Sequence, residues 1–141
     1  MTITIENRDL FTVPQGYYLA HCISADFALG AGIAKIFDEV YNMRFKLFRE
    51  FDEYFYDGGD ALLIDNVFNL VTKPRCYHKP TYGALREALE AMKNVMEMNA
   101  TTKLAMPKIG CGLDRLEWDR VFDIICEVFE DTDVEILICE L

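Results

Sequence analysis

Strand-like and helix-like spacings of apolar residues alternate along almost the whole chain, and no other feature narrows the possible folds as far. Residues 61–64 and 67–72 are two apolar runs flanking the tight pair Asp65-Asn66, which predicts a β-hairpin whose second strand ends at Lys73. Pro80 and Thr81 then open a stretch in which Leu85, Leu89, Met92 and Met96 share one face, the spacing of a helix that stops near Asn99. Residues 103–106 predict a short strand. Glu117 to Phe129 predicts a helix carrying Trp118, Val121, Phe122, Ile125, Val128 and Phe129 inward, and 134–139 a closing strand. Nearer the start, Ile33, Phe37, Val40, Tyr41, Phe45, Phe48 and Phe51 recur three or four apart, predicting helix from Ala31 to about Phe55 with a division at Asn42. The phenylalanines of this stretch, and Trp118, read as core. The first 23 residues come in short apolar bursts, Ile3 with Ile5, Leu10 to Val13 and Tyr17 to Ile23, and predict an opening hairpin followed by a buried strand. Such interleaving needs crossover connections, so the expected class is α/β, a mixed sheet covered by helices on both faces.

Composition supports one such domain over residues 1–141: 52% of the chain is apolar and 27% charged, with no linker, repeat or break in composition. No run approaches the roughly 18 apolar residues of a membrane span, and the N-terminal residues lack the basic flank and apolar run of a secretory signal. Five cysteines, Cys22, Cys76, Cys111, Cys126 and Cys139, form an odd set without a CxxC pair, which disfavours a disulfide framework and a zinc ribbon. The expectation is a soluble, monomeric, cytoplasmic protein with reduced thiols, or a nuclear one in a eukaryote. His21 and His78 have no clustered Cys, Asp or Glu at ligand spacing and read as scaffold or loop residues rather than metal ligands. With 14 basic against 24 acidic side chains the formal charge is −10, which opposes non-specific attraction to a nucleic-acid backbone.

Two loops share one grammar, a buried strand running into a glycine-rich turn that leads into a helix: residues 21–34 and residues 106–115. Glycine permits close approach of backbone to ligand, and amides ahead of a helix aim donors and the positive dipole end at an anion. A pair of such loops can cradle a diphosphate; glycines that merely permit tight turns are the alternative. Neither loop is a dinucleotide fingerprint, since Lys35 stands where a third glycine or alanine would follow Gly30 and Gly32, and no P-loop motif occurs.

Residues 21–24 (HCIS) with 30–34 (GAGIA), 72–75 (TKPR) with 78–82 (HKPTY), and 106–118 (MPKIGCGLDRLEW) together resemble, in order and spacing, macrodomains of the terminal ADP-ribose protein glycohydrolase type. The resemblance spans nearly the whole chain; the asparagine-rich segment of the commonest macrodomain hydrolases is missing. It implies a three-layer α/β/α macrodomain with a central mixed β-sheet. It further implies ADP-ribose as ligand, and hydrolysis, without metal or cofactor, of the bond joining the distal ribose to a carboxylate side chain of an ADP-ribosylated protein. O-acyl-ADP-ribose and ADP-ribosylated DNA are further substrates it suggests. By motif position Lys73 and Asp114 match the catalytic lysine and aspartate. The ligand-lining set becomes His21, Ser24, Gly30, Gly32, Ile33, Thr72, Pro107, Gly110, Cys111, Gly112, Leu113 and Leu141.

That chemistry suits the two residue types. A neutral lysine amine can form a Schiff-base-like adduct at the anomeric carbon, and burial or a neighbouring cation such as Arg75 favours the neutral amine. Asp114 on the facing loop can serve as general base. Residue by residue, the alternatives are a phosphate clamp for Lys73 and an N-cap or first-turn acid for Asp114, while Cys111, with no base beside it, reads as a small contact residue. Two other functions use the same pocket: a reader that binds ADP-ribose without chemistry, and a phosphatase acting on ADP-ribose 1″-phosphate.

Overall fold

A computed structural model describes residues 1–53 and 55–141. Its elements, in chain order, are β1 (Thr2–Asn7), β2 (Tyr18–Ser24), α1 (Gly32–Tyr41), α2 (Met43–Glu50), β3 (Asp60–Ile64), β4 (Val67–Lys73), α3 (Tyr82–Met98), β5 (Lys103–Met106), α4 (Trp118–Phe129) and β6 (Glu135–Glu140). The six strands form one sheet in the order β1-β6-β5-β2-β4-β3. All neighbours run parallel except β3 and β4, which form the expected antiparallel hairpin with Asp65 left-handed (φ 53°) at its turn.

Strand side chains alternate between two cores, as period-two geometry requires. Ala20, Phe68, Leu70, Leu104, Met106, Ile136 and Ile138 pack with Leu85, Leu89 and Met92 of α3 and Val121, Ile125 and Phe129 of α4. Leu19, Ile23, Val67, Val71, Ala105 and Leu137 face the other way, onto Phe37 of α1 and Met43 and Leu47 of α2. The result is three layers, helices over both faces of a mixed sheet. Thr81 caps α3 by accepting from the Ala84 amide at 3.0 Å. Asn42, left-handed at φ 54°, separates α1 from α2 where the sequence divides them.

Three expectations need correction. No hairpin opens the chain: β1 lies parallel to β6, its Ile3 opposite Ile136, and Leu10–Thr12 is a single 3₁₀ turn. The second helix ends at Glu50, and Tyr54 within the stretch predicted helical to about Phe55 lies outside the described residues. Nor are the helical phenylalanines all core, since Phe45 and Phe48 are 58% and 41% exposed beneath the guanidinium groups of Arg49 and Arg44. Among the described residues no helix is long and apolar enough to cross a membrane.

Candidate active site between three loops

Strands β5, β2 and β4 are adjacent and parallel, so the segments leaving their C-terminal ends emerge side by side along one edge of the sheet, the edge where open α/β sheets gather ligands. They are residues 25–31 after β2, 74–80 after β4 and 107–117 after β5. A cavity of about 590 Å³ lies among them, within the roughly 300–1,000 Å³ typical of small-molecule sites. Of the residues expected at the site, Ser24, Gly30, Gly32, Ile33, Lys73, Pro107, Gly110, Gly112, Leu113 and Asp114 line this cavity.

The segment after β2 is held in a costly shape. Phe27 (φ 52°) and Leu29 (φ 42°) are left-handed, a region bulky side chains rarely enter. Burial of both side chains, 0% and 5% exposed, opposes that cost, and Arg44 Nε donates to the Phe27 carbonyl at 2.8 Å. The consequence is a loop that turns its backbone toward the cavity while its side chains anchor it in the core. Gly32, at φ +60°, opens α1, and a Cβ there would stand 3.3 Å from Leu113 Cδ1, so the two glycine loops meet lip to lip.

Asp26 joins this loop to the segment after β4. Its Oδ1 accepts from the Ser24 hydroxyl at 2.5 Å and the Ala28 amide at 3.1 Å, and its Oδ2 from the Cys76 amide at 2.9 Å. Partial burial disfavours the Asp26 charge, but these donors outweigh it and hold the carboxyl below its ordinary range. The Ala25 amide donates to the Lys73 carbonyl at 2.9 Å, and the register shifts between Ile23 and Ser24, a bulge of the kind that re-aims side chains at strand ends.

Lys73 and Asp114 come from different loops and meet: Nζ donates to Oδ1 at 2.6 Å, with the side chains 14% and 17% exposed. Asp114 is not a helix cap, because Glu117 holds that position in α4. The thiols nearby are poor nucleophiles. Burial pushes the Cys22 thiol up to about 12, helped by the charges of Asp114 and Cys111 and opposed by Lys73, and burial also raises Cys111. The amine of Lys73 and the carboxylate of Asp114 are thus in direct contact at the cavity wall, beside thiols that burial holds protonated.

Four residues of the expected set do not line the cavity. His21 is fully buried on the α1 side of the sheet, stacked on Phe37 with ring centroids 3.9 Å apart, its Nε2 bonded to Asn69 Oδ1 at 2.6 Å. Thr72 is buried, its hydroxyl against the Cys22 thiol. Cys111 turns its thiol back to the Ile109 carbonyl at 3.4 Å, and Leu141 is 93% exposed at the chain end. Conversely, Cys76, Tyr77, His78 and Lys79 line the cavity without having been predicted to. Their signal was a segment rich in basic and aromatic side chains between Pro74 and Pro80.

Comparison with known proteins places these features in a family. No family model matches the chain. It is 43% identical over 143 residues to the Bos taurus ADP-ribose glycohydrolase OARD1, covering 99% of this chain and 91% of that protein. The macrodomain of Mycobacterium tuberculosis DarG superposes with a TM-score of 0.89 at 20% identity, over 99% of this chain and 98% of that one. Thermosipho africanus DarTG, solved in complex with ADP-ribose, superposes at 0.78 and 17% identity over 98% of this chain and 41% of its own. The fold is thus that of a macrodomain. Within that class, the chain belongs to the ADP-ribose glycohydrolase OARD1 family.

Proposed function

We propose that this protein hydrolyses the bond between the distal ribose of ADP-ribose and a carboxylate side chain, with Lys73 as nucleophile and Asp114 as proton acceptor. The observation that carries this reading is the 2.6 Å contact between the two side chains inside a cavity bounded by two glycine loops. Backbone amides of those loops suit the diphosphate, and the bovine relative is named as an ADP-ribose glycohydrolase.

Asp114 takes a proton from Lys73, and the amine attacks the anomeric carbon; the acceptor departs with the bonding pair and takes the proton from Asp114, leaving as free carboxylic acid and returning Asp114 to its carboxylate form. Ring opening of the resulting glycosylamine gives a protonated imine. Water then adds to the same carbon as Asp114 removes its proton. The carbon–nitrogen bond breaks, the amine regains a proton, and ADP-ribose is free. No metal or cofactor enters any step. The acceptor is an ADP-ribosylated protein, the chain acts as a monomer, and the five unpaired thiols among its described residues suit a reducing cytoplasm.

The test is release of ADP-ribose from glutamate-, serine- and thymidine-linked substrates, followed by mass spectrometry. Lys73→Ala abolishes release while calorimetry still registers ADP-ribose binding; Asp114→Ala slows release by roughly 10²–10⁴-fold. Borohydride reduction traps a covalent adduct on the wild type and not on Lys73→Ala. Undiminished turnover in Lys73→Ala refutes the nucleophile, and binding without release from any substrate refutes the enzyme.

A further inference from the structure

The segment from Pro74 to Pro80 has no part in the chemistry above, yet it walls the cavity and begins at the residue after the nucleophile. It is a fixed turn. The Cys76 amide is bonded to Asp26, the His78 amide donates to the Arg75 carbonyl at 3.0 Å, and the Tyr77 and His78 rings meet edge to face with centroids 4.7 Å apart. Tyr77 is nevertheless 74% exposed. An aromatic ring carried on a hydrogen-bonded turn with most of its surface facing water is a contact surface whose backbone is set in advance, so little backbone ordering entropy is lost when something covers it.

The charge of this segment runs against that of the protein. Between Asp65 and Glu87 there is no acidic residue, while Lys73, Arg75, Lys79 and Arg86 fall there, in a chain with 24 acids and 14 bases. Among the charged residues lining the cavity are three lysines, Lys73, Lys79 and Lys108, and one acid, Asp114. Lys108 is paired with Glu140 at 2.7 Å and Lys73 with Asp114. Lys79, exposed at the end of the turn, is the lining lysine placed to meet an incoming anion.

We propose that residues 75–79 form an acceptor-side subsite that recognises acidic side chains of the peptide flanking the modified carboxylate, with Tyr77 covering the peptide and Lys79 pairing with its charge. The proposal rests on the hydrolase reading. The two glycine loops take the diphosphate, Lys73 meets the far ribose, and the group that departs from that ribose leaves toward the turn that follows Lys73 in the chain. Positive charge there selects acidic sequence, and the anionic remainder of the surface discourages binding elsewhere.

Three substrates separate the outcomes: a glutamate-linked ADP-ribosyl peptide with acidic flanks, the same peptide with lysine flanks, and acetyl-ADP-ribose, which has no peptide. Values of kcat/KM are compared for wild type, Tyr77→Ala and Lys79→Glu. Wild type favours the acidic peptide by roughly tenfold at low salt, from one or two exposed ion pairs of up to about 1 kcal/mol each, and the preference fades in high salt. Lys79→Glu cancels or reverses it. Tyr77→Ala lowers both peptide rates by a larger factor than the acetyl rate. Absence of a flank preference in wild type overturns the proposal alone, as does an equal fractional loss on all three substrates, which would put the turn on the ADP-ribose side. Release from none of the three by wild type overturns the hydrolase reading and this proposal with it.

Discussion

Lowering the pH from 7 to 4 destabilises this fold chiefly through one histidine that plays no part in its chemistry. Asn69 Nδ2 donates to the Leu62 carbonyl at 3.1 Å, which leaves Asn69 Oδ1 as acceptor, so the proton on His21 sits at Nε2. His21 Nδ1 is buried with no partner. Protonation would place a second N–H there with nothing to receive it, and a charge on a ring with no exposed surface. Burial accordingly lowers the His21 pKa from 6.5 to about 4, with the Asn69 bond opposing. The unfolded chain binds this proton more readily than the folded one, so the contribution is complete above pH 6.5 and drains away as pH falls to about 4, below which both states are protonated. The linkage relation gives a loss on the order of 2 kcal/mol by pH 5 and about 3 kcal/mol by pH 4. Asp26, whose carboxyl is held below its ordinary 3.8, loses its own support only beneath this window. Urea unfolding of wild type and His21→Gln at intervals from pH 7 to 4 measures the effect. Wild type should lose stability steeply below pH 6.5, and the variant, less stable at pH 7, should lose little more. Parallel curves for the two proteins, or a flat wild-type curve between pH 6.5 and 5, would refute the reasoning.

Other outcomes follow from the loops. Asp26→Ala removes three hydrogen bonds to one carboxylate and should cost about 1.5–3 kcal/mol in denaturant unfolding. It should raise KM more than Asp26→Asn, which keeps one acceptor oxygen. Gly110→Ala forces φ +71° on an L residue and brings its Cβ within 2.8 Å of Leu116 Cδ1. Its penalty of roughly 1–2 kcal/mol should appear as a fall of several degrees in Tm, together with weaker ADP-ribose binding by calorimetry. Asn69→Leu leaves the buried His21 Nε2 donor without its partner and removes the side-chain bond to the Leu62 carbonyl, and should destabilise by about 1–3 kcal/mol with little change in KM.

Periodicity made most of the architecture legible because most elements are local. The β3–β4 hairpin, α3 with its Thr81 cap and the break at Asn42 are each specified within a few residues. The opening strand is not: Thr2–Asn7 pairs with Glu135–Glu140 at the other end of the chain, and nothing near Ile3 and Ile5 announces a partner so distant. The contact between Lys73 and Asp114 was legible only through a motif, since the two lie 41 residues apart and meet because β5 and β4 flank β2. His21 was misplaced although the alternation of its own strand held the answer. Leu19, His21 and Ile23 point to one face, toward α1 and α2, and only the strand's end opens on the cavity. The turn at 75–79 was legible as part of a motif, through residues 72–75 and 78–82, but not as a cavity wall, because it carries no glycine and glycine was the cue by which the other two loops were read as ligand-facing.

Each of the three loops is rooted on a strand buried from both sides, and each returns to the body of the protein through its own helix or, after β5, through α4. They therefore share a cavity while each is anchored by its own pair of elements. Exchanging the side chains at 75–79 while the Cys76 amide stays bonded to Asp26 should leave the sheet, the glycine mouths and the lysine–aspartate contact in place, so that, on the proposed reading, substrate range would change without a change of reaction.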